Sequence, residues 1–245
     1  MNRLVRVGII GLGFGARVHL PAFQSLPNVR VIAVADAGSG KADRVEVEHK
    51  GIRAFHDWRH MIANVESDAV SVATPPDVQQ GIVCAALAAG KHVLSEKPFG
   101  TDVSAARAML RAAQMSGRIH AIDFQFRMEP GIRGLKRQIS LGKIGRVIRI
   151  DVTWLTAGRS DPALPFSWQN DAARGGGVLN NFGSHVIDYV EWISASRITT
   201  VNASARIIHA QRFDADGCEH TVTAEDSCDM TCALANGAIA RVHFS

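Results

Sequence analysis

Gly11, Gly13 and Ala16 stand at the end of an apolar run, Val5–Ile10, in the spacing G-x-G-x-x-A, and a helix-compatible segment follows. Small residues in that order suit the close approach of a phosphate to the backbone. Gly11 permits a tight turn off a strand, Gly13 removes the Cβ that would hold a pyrophosphate away, and Ala16 lets the helix pack on the strand. The first helical N–H groups then point at the phosphates, and the helix dipole favours their negative charge. The whole loop, Gly11, Leu12, Gly13, Phe14, Gly15 and Ala16, is expected to hold a dinucleotide. A second apolar run, Val29–Ala35, ends in Asp36, about 20 residues beyond Ala16. A carboxylate there can accept both ribose hydroxyls of NAD and would repel the 2′-phosphate of NADP. Its competing use is to cap the next helix. No arginine follows Asp36 directly, but Lys41 and Arg44 are near enough to leave NADP possible.

Three further groups could do chemistry. Lys97 follows a strand-like run, His92–Ser95, at the edge of the sheet where ligands of open α/β folds bind, and Pro98 restricts the backbone after it. An ordinary lysine has a pKa of about 10.4, so Lys97 suits hydrogen-bond donation to a reacting oxygen better than proton abstraction. A helical stretch from Asn180 puts Asn181, His185, Asp188 and Trp192 on one stripe, beside an apolar stripe of Phe182, Val186, Tyr189 and Ile193. An unperturbed histidine changes charge near neutrality, so His185 could take a hydroxyl proton, although a lone histidine on such a helix is more often structural. Arg127, after Ile122–Phe126, could hold a substrate anion or make a domain-interface salt bridge. Cys218, His220, Cys228 and Cys232 do not have the spacing of a zinc site, so no metal is expected.

The elements that must position these groups alternate. Strand-like runs at Val5–Ile10, Val29–Ala35, Ile52–Phe55, Ala69–Ala73, His92–Ser95 and Ile119–Ile122 are separated by helical patterns at Gly15–Ser25, Lys41–His49, Trp58–Asn64, Pro76–Ala89 and Thr101–Ser116. That grammar predicts a doubly wound parallel sheet, an α/β Rossmann domain over residues 1–122. Residues 123–245 read differently: a helix at Glu129–Leu141, a half-exposed strand at Ile144–Leu155, a loop over Thr156–Gly177, the helix Asn180–Ile193, then strands at Ile198–Ile208, Thr223–Leu234 and Ala238–Phe244. Asn236-Gly237 signals a hairpin. This half is expected to be α+β with a predominantly antiparallel sheet.

Composition excludes several classes. The chain has 245 residues, 47% hydrophobic and 20% charged, with a net charge of +4 and no basic block, so neither disorder nor a nucleic-acid partner is indicated. No run of apolar residues is long enough to span a membrane. Met1-Asn2-Arg3 before an apolar run mimics a leader, but the same run is needed as the first strand. Four cysteines in a large core-forming chain suggest reduced thiols and a cytoplasmic setting.

Two more motifs complete a resemblance. Gly90 to Pro98 reads G-K-H-V-L-S-E-K-P, and Gly175 to Asp188 reads G-G-G-V-L-N-N-F-G-S-H-V-I-D. With the glycine loop and Thr74-Pro75-Pro76, they make the chain similar to the glucose–fructose oxidoreductase / inositol dehydrogenase / MocA family across essentially its whole length. The resemblance implies NAD(P)-dependent hydride transfer at a CH–OH or carbonyl group of a sugar, cyclitol or related small molecule. It implies Lys97 and His185 as catalytic groups with Asn181 orienting, and Thr74, Pro75, Pro76, Glu96 and Lys97 beside the cofactor. Trp168 resembles a family tryptophan near the nicotinamide end, its alternative being a loop anchor. Arg127 and Asp188 are the candidate substrate contacts. Asn181 stands where the family motif has aspartate, which removes a charge and keeps the hydrogen bonding. That departure gives weight to a second reading, a nucleotide-binding sensor or scaffold without turnover. Gln79 and Gln80 lie where many relatives carry a histidine. Relatives continue for several more strands, so the chain is expected to be C-terminally truncated. Its sheet would then show an open edge and an apolar face of Ile207, Met230, Leu234, Val242 and Phe244. The resemblance also implies a homo-oligomer for a complete chain.

Overall fold

The computed structural model describes residues 3–159 and 161–245, and the chain divides into two compact units that meet in sequence at Asp123 and Phe124. Met1 and Asn2, the head of the leader-like stretch, lie outside the described residues. The first unit is a six-stranded sheet of β1 (Val5–Ile10), β2 (Val29–Ala35), β3 (Arg53–Phe55), β4 (Ala69–Val72), β5 (His92–Glu96) and β6 (His120–Asp123), in the order β3-β2-β1-β4-β5-β6. Every neighbouring pair is parallel. The crossovers carry α1 (Leu20–Gln24), α2 (Lys41–Glu48), α3 (Trp58–Asn64), α4 (Pro76–Ala88) and α5 (Val103–Ser116).

Period-two alternation splits the core between the two faces. From β1, Val7 and Ile9 join one buried cluster with Val31, Val34 and Val45, while Ile10 joins the other with Met61, Val72, Ile82 and Met109. The caps follow from residue type. Asp57 accepts the Arg59 N–H at the start of α3, Asp102 accepts the Ala105 N–H at the start of α5, and Gly117 closes α5 at a φ of 62°. Strand order reverses between β1 and β4, so the loops leaving those two strands diverge and open a crevice at their carboxyl ends.

The second unit has a four-stranded sheet of β7 (Arg149–Trp154), β8 (Ile198–Arg206), β11 (Ser227–Leu234) and β12 (Ile239–Phe244), ordered β7-β12-β11-β8. β11 pairs antiparallel with β8 and β12, whereas β12 pairs parallel with β7. A hairpin of β9 (Gln211–Phe213) and β10 (Glu219–Thr221) stands apart. The helices are α6 (Pro130–Ser140) and α7 (Ser184–Ser194), the latter entered through a π turn, Leu179–Gly183.

Several boundaries differ from the sequence reading for local reasons. β7 starts at Arg149 instead of Ile144, because Gly142 and Gly145 turn the chain at φ 67° and 70°. β11 starts at Ser227 instead of Thr223: the N–H groups of Thr223 and Ala224 donate to the Asn170 carbonyl at 3.0 and 3.2 Å and leave the ladder. The β9–β10 hairpin was not expected. It turns on Gly217 and on the Asp214 carboxylate, which accepts the Asp216 and Cys218 N–H groups. The expected turn at Asn236-Gly237 is present, with Gly237 at φ 84°.

The expectation of an open apolar face is corrected. β12 lies inside the sheet, and Met230, Leu234, Val242 and Phe244 are buried in one cluster with Val178, Val186 and Val190. The π turn and α7 cover that face, and β7, far earlier in the chain, supplies the parallel neighbour of β12. Ile207 alone of the five is exposed.

Candidate functional site

The glycine loop begins where β1 ends. Gly11 has a φ of 92°, and a Cβ there would lie 2.5 Å from the Ala73 carbonyl oxygen and 2.8 Å from Thr74 Cγ2, so only glycine fits. Gly13 has no atom within 4 Å of where its Cβ would be: its backbone faces open space. The tight contact expected of Ala16 is made by Gly15, whose Cβ would lie 3.0 Å from Ile9 Cγ2, while Ala16 packs more loosely on the Val7–Ile9 cluster. Leu12 is buried, and Phe14 turns its ring edge-on to His19 at 5.4 Å. Beside Gly11, the Thr74 hydroxyl is buried and has no hydrogen-bond partner among the described residues. Pro75 and Pro76 follow it and start α4.

Asp36 ends β2 with its carboxylate already engaged. Oδ1 accepts the Gly38 N–H at 3.0 Å; Oδ2 accepts the Ser39 hydroxyl at 2.6 Å and the N–H groups of Lys41 and Ala42 at 3.0 and 3.3 Å. Partial burial pushes its pKa up, but these hydrogen bonds outweigh burial and hold the carboxyl below its ordinary value. The helix-capping use of Asp36 is therefore real, and Oδ1 retains more accepting capacity than Oδ2.

Lys97 sits half-buried after β5, in a segment held by side chains on both sides. The Glu96 carboxylate accepts the Lys97 N–H at 3.2 Å. Gln79, fully buried in α4, donates Nε2 to the Glu96 carbonyl at 2.6 Å and accepts the Gly100 N–H on Oε1 at 2.8 Å. Glu96 also meets His19, at 3.0 Å from Oε1 to Nε2. The neighbouring Lys91 of the same motif is structural: it is buried and donates to the carbonyls of Val65 and Ser67 at 2.9 and 3.3 Å.

In the second unit the G-G-G run docks the entry to α7. Gly176 lies against the Gln169 and Trp168 carbonyls, so Trp168 fixes this run through its backbone, and its own side chain is half-buried. Gly177, at φ 101°, leaves room for the Glu225 carboxylate, which accepts the Leu179 N–H at 2.9 Å. Asn181 is half-buried in the π turn, its N–H donating to the Gly177 carbonyl at 3.0 Å. His185 is only 3% exposed and lies inside aromatic rings: Phe126 at 4.4 Å, Phe124 at 5.9 Å and Trp154 at 6.4 Å. Arg127 and Asp188 are each other's partners. The guanidinium donates Nε to Asp188 Oδ2 at 2.6 Å and Nη2 to Oδ1, a two-pronged pair. The salt bridge weighed for Arg127 thus exists, but it lies within the second unit and ties the turn before α6 to α7. Trp192 receives Arg127 and Lys136 over its ring at 5.8 Å each.

The sequence reading missed His19, Asp123, Glu225 and the three rings around His185. His19 carried one signal: it stands three residues past Ala16, on the helical segment that leaves the glycine loop. The rings carried none, since Phe124 and Phe126 before α6 and Trp154 at the end of β7 meet His185 only through packing.

Comparison with known proteins places these features. Residues 5–124 match the oxidoreductase family with an NAD-binding Rossmann fold, and residues 132–245 match the GFO/IDH/MocA C-terminal domain. An uncharacterized oxidoreductase of Synechocystis sp. is 30% identical over 98% of this chain and 65% of its own length. Inositol 2-dehydrogenase 2 of Saccharopolyspora erythraea is 31% identical over 81% of this chain and 56% of its own. The structure of levoglucosan dehydrogenase in complex with NADH and levoglucosan superposes with a TM-score of 0.92 at 27% identity, over 98% of this chain and 66% of that one. The chain thus spans between about half and two thirds of the length of such relatives. With both family domains matched in order, the chain belongs to the glucose–fructose oxidoreductase / inositol dehydrogenase / MocA family of oxidoreductases.

Proposed function

We propose that this protein is an NAD-dependent oxidoreductase acting on a CH–OH or carbonyl group of a sugar, cyclitol or related small molecule. The observation that carries the reading is the cradle at Gly11 and Gly13: a left-handed turn, bare backbone facing open space, and an orphaned buried threonine hydroxyl beside it. Those features fit a dinucleotide, whose nicotinamide would accept or return a hydride when bound. The loop N–H groups would hold the pyrophosphate. Asp36 Oδ1 would accept a ribose hydroxyl, and the carboxylate would disfavour a 2′-phosphate at that place. Lys97 would donate a hydrogen bond to the substrate oxygen and stabilise its developing alkoxide character. His185 would take the hydroxyl proton, its ring held by aromatic neighbours, and Asn181 would orient the substrate as a neutral hydrogen-bonding group. Arg127 and Asp188, being paired, would act by fixing α7, on which His185 stands. Trp168 would mark the nicotinamide end. The same reading takes the protein to be cytoplasmic and homo-oligomeric in its complete form; among the described residues no helix is long and apolar enough to cross a membrane.

The test is binding and turnover together. NADH fluorescence should change on titration with protein, and a panel of polyols and sugars with both cofactors should show oxidation of at least one. Binding without turnover on any member would favour the sensor reading, which the neutral Asn181 keeps in view.

A further inference from the structure

The first unit buries a histidine that the proposed roles do not use. His19 is 4% exposed and ends the π turn Gly15–His19, so the segment leaving the glycine loop carries it. Its Nδ1 lies 2.6 Å from the Ser71 hydroxyl of β4. Its Nε2 lies 3.0 Å from Glu96 at the end of β5 and 3.4 Å from Asp123 at the end of β6. Phe14 and Phe23, from its own helical segment, meet the ring edge-on. Two carboxylates converging on one ring nitrogen in a buried site require a proton there, and only a second proton on the ring supplies the positive charge that compensates them. Ser71 can then accept from the other nitrogen. Burial alone would lower the pKa of His19, but the hydrogen bonds and charges of Asp123 and Glu96 outweigh it and push it up to about 9.

Glu96 passes this constraint on, since its second oxygen accepts the Lys97 N–H at 3.2 Å. Gln79 closes the far side of the same stretch by holding the Glu96 carbonyl and the Gly100 N–H. We infer that His19 is a positioning residue for Lys97: its imidazolium locks the Glu96 carboxylate, which holds the Lys97 backbone, so that the glycine-loop segment and the Lys97 segment are set as one piece. The inference rests on the proposed role of Lys97. Gln79 supplies a neutral second hold on the segment, and His19 supplies the ionic one.

Two arms of an experiment on the full chain test it. In the first, without substrate, side-chain ¹⁵N resonances of the histidines are followed against pH, with His19→Gln for assignment. His19 is expected to remain doubly protonated up to about pH 9, and in Glu96→Gln to lose its proton at least about one pH unit earlier. A native His19 titrating near 6.5 overturns the inference. So does stoichiometric Zn²⁺ binding at neutral pH that His19→Gln abolishes, since a metal needs the neutral ring. Reductive ¹³C-methylation then labels the lysines, with Lys97→Arg for assignment. The Lys97 resonance should shift in His19→Gln, and an unmoved resonance overturns the inference whether or not any substrate is turned over. Absence of turnover in the native chain would sink the proposed function and leave this arm to decide.

The second arm uses a substrate found by the panel. Glutamine keeps an N–H donor without the charge, so His19→Gln should lower kcat about tenfold while the KM for NAD⁺ changes less than about twofold. The alkaline limb of the native kcat profile, where His19 loses its proton, should disappear in the variant. An unchanged kcat, or an unchanged pH profile, overturns the inference. If His19→Gln does not fold, Ser71→Ala and Glu96→Gln probe the same lock from its other two sides: both should lower kcat, and native kcat in both overturns it.

Discussion

At the scale of single residues, Asp36 serves two purposes that pull apart under mutation. Its carboxylate accepts donors from Gly38, Ser39, Lys41 and Ala42 and so secures the turn into α2. It also stands where a ribose would be read. Replacing it by serine, with Ala37→Arg, should move cofactor preference from NAD toward NADP by removing a repelling charge and adding a phosphate partner. The same change should lower stability by about 1 kcal/mol, the usual cost of a weakened cap. Calorimetric titration with both cofactors and a melting curve check the two effects separately, and equal native affinity for the cofactors would refute the NAD assignment. The sign with pH follows from the depressed carboxyl. Its contribution is present above the ordinary carboxylate pKa and is lost as pH falls through the folded-state value, so Asp36→Asn should flatten the acid end of the stability curve. Lys97 is expected to behave differently. Lys97→Ala should abolish turnover, a loss of roughly 3 kcal/mol or more of transition-state stabilisation, yet leave NADH affinity within a few-fold. Near-normal kcat in that variant would remove Lys97 from the chemistry.

At the scale of elements, the entry to α7 decides where His185 points. The turn Leu179–Gly183 is π-helical, and the Ser184 N–H reaches back to the Leu179 carbonyl. One extra residue per turn alters the phase between Asn181 and His185 that a regular helix would give. Glu225 anchors this entry from the strand side: its side chain accepts the Leu179 N–H and its carbonyl accepts the Val178 N–H at 2.8 Å. Removing the carboxylate leaves a half-buried N–H without its acceptor. Glu225→Ala is therefore expected to cost about 1–3 kcal/mol in urea denaturation. It should also lower kcat more than it lowers NADH affinity, because the helix bearing His185 is displaced while the glycine loop is untouched. Unchanged stability in Glu225→Ala would show that water replaces the anchor without loss.

At the scale of the whole molecule, each unit carries its own core, and the units meet in sequence at Asp123 and Phe124, beside the short 3-10 turn Gln125–Met128. A proteolytic cut there should release a resistant fragment ending near Ile122 to Arg127, and NADH should slow its further digestion, since a ligand stabilises the unit that binds it. The covering of Met230, Leu234, Val242 and Phe244 by the π turn and α7 changes what is expected of the rest. The second unit should resist digestion over β11, β12 and α7, with early cleavage confined to the exposed edge strand β8 and the hairpin β9–β10. Mass spectrometry of the early fragments checks this; first cuts inside β11 or β12 would mean that the buried face opens in solution.

Sequence alone determined what depends on near neighbours. The G-x-G-x-x-A spacing demanded a bare-backbone turn after a strand, and Gly11 makes it because no Cβ fits beside Ala73. The six apolar runs with helical patterns between them settled the parallel sheet, since each strand buried on both faces must be continuous in apolar residues. Lys97 after β5 and His185 on its helix were legible in the same way. What the tertiary structure decided are contacts between residues far apart in the chain, for which no spacing is diagnostic. His19 meets Glu96 and Asp123 only because strand order brings β4, β5 and β6 together beside the glycine-loop segment. Phe126 and Trp154 enclose His185, and Arg127 finds Asp188, by packing within the second unit. β12 reads as the last strand of the chain yet lies inside its sheet, because its parallel partner is β7. Periodicity tells which face of an element is apolar; only the packed fold tells what covers that face and which buried charge needs a partner.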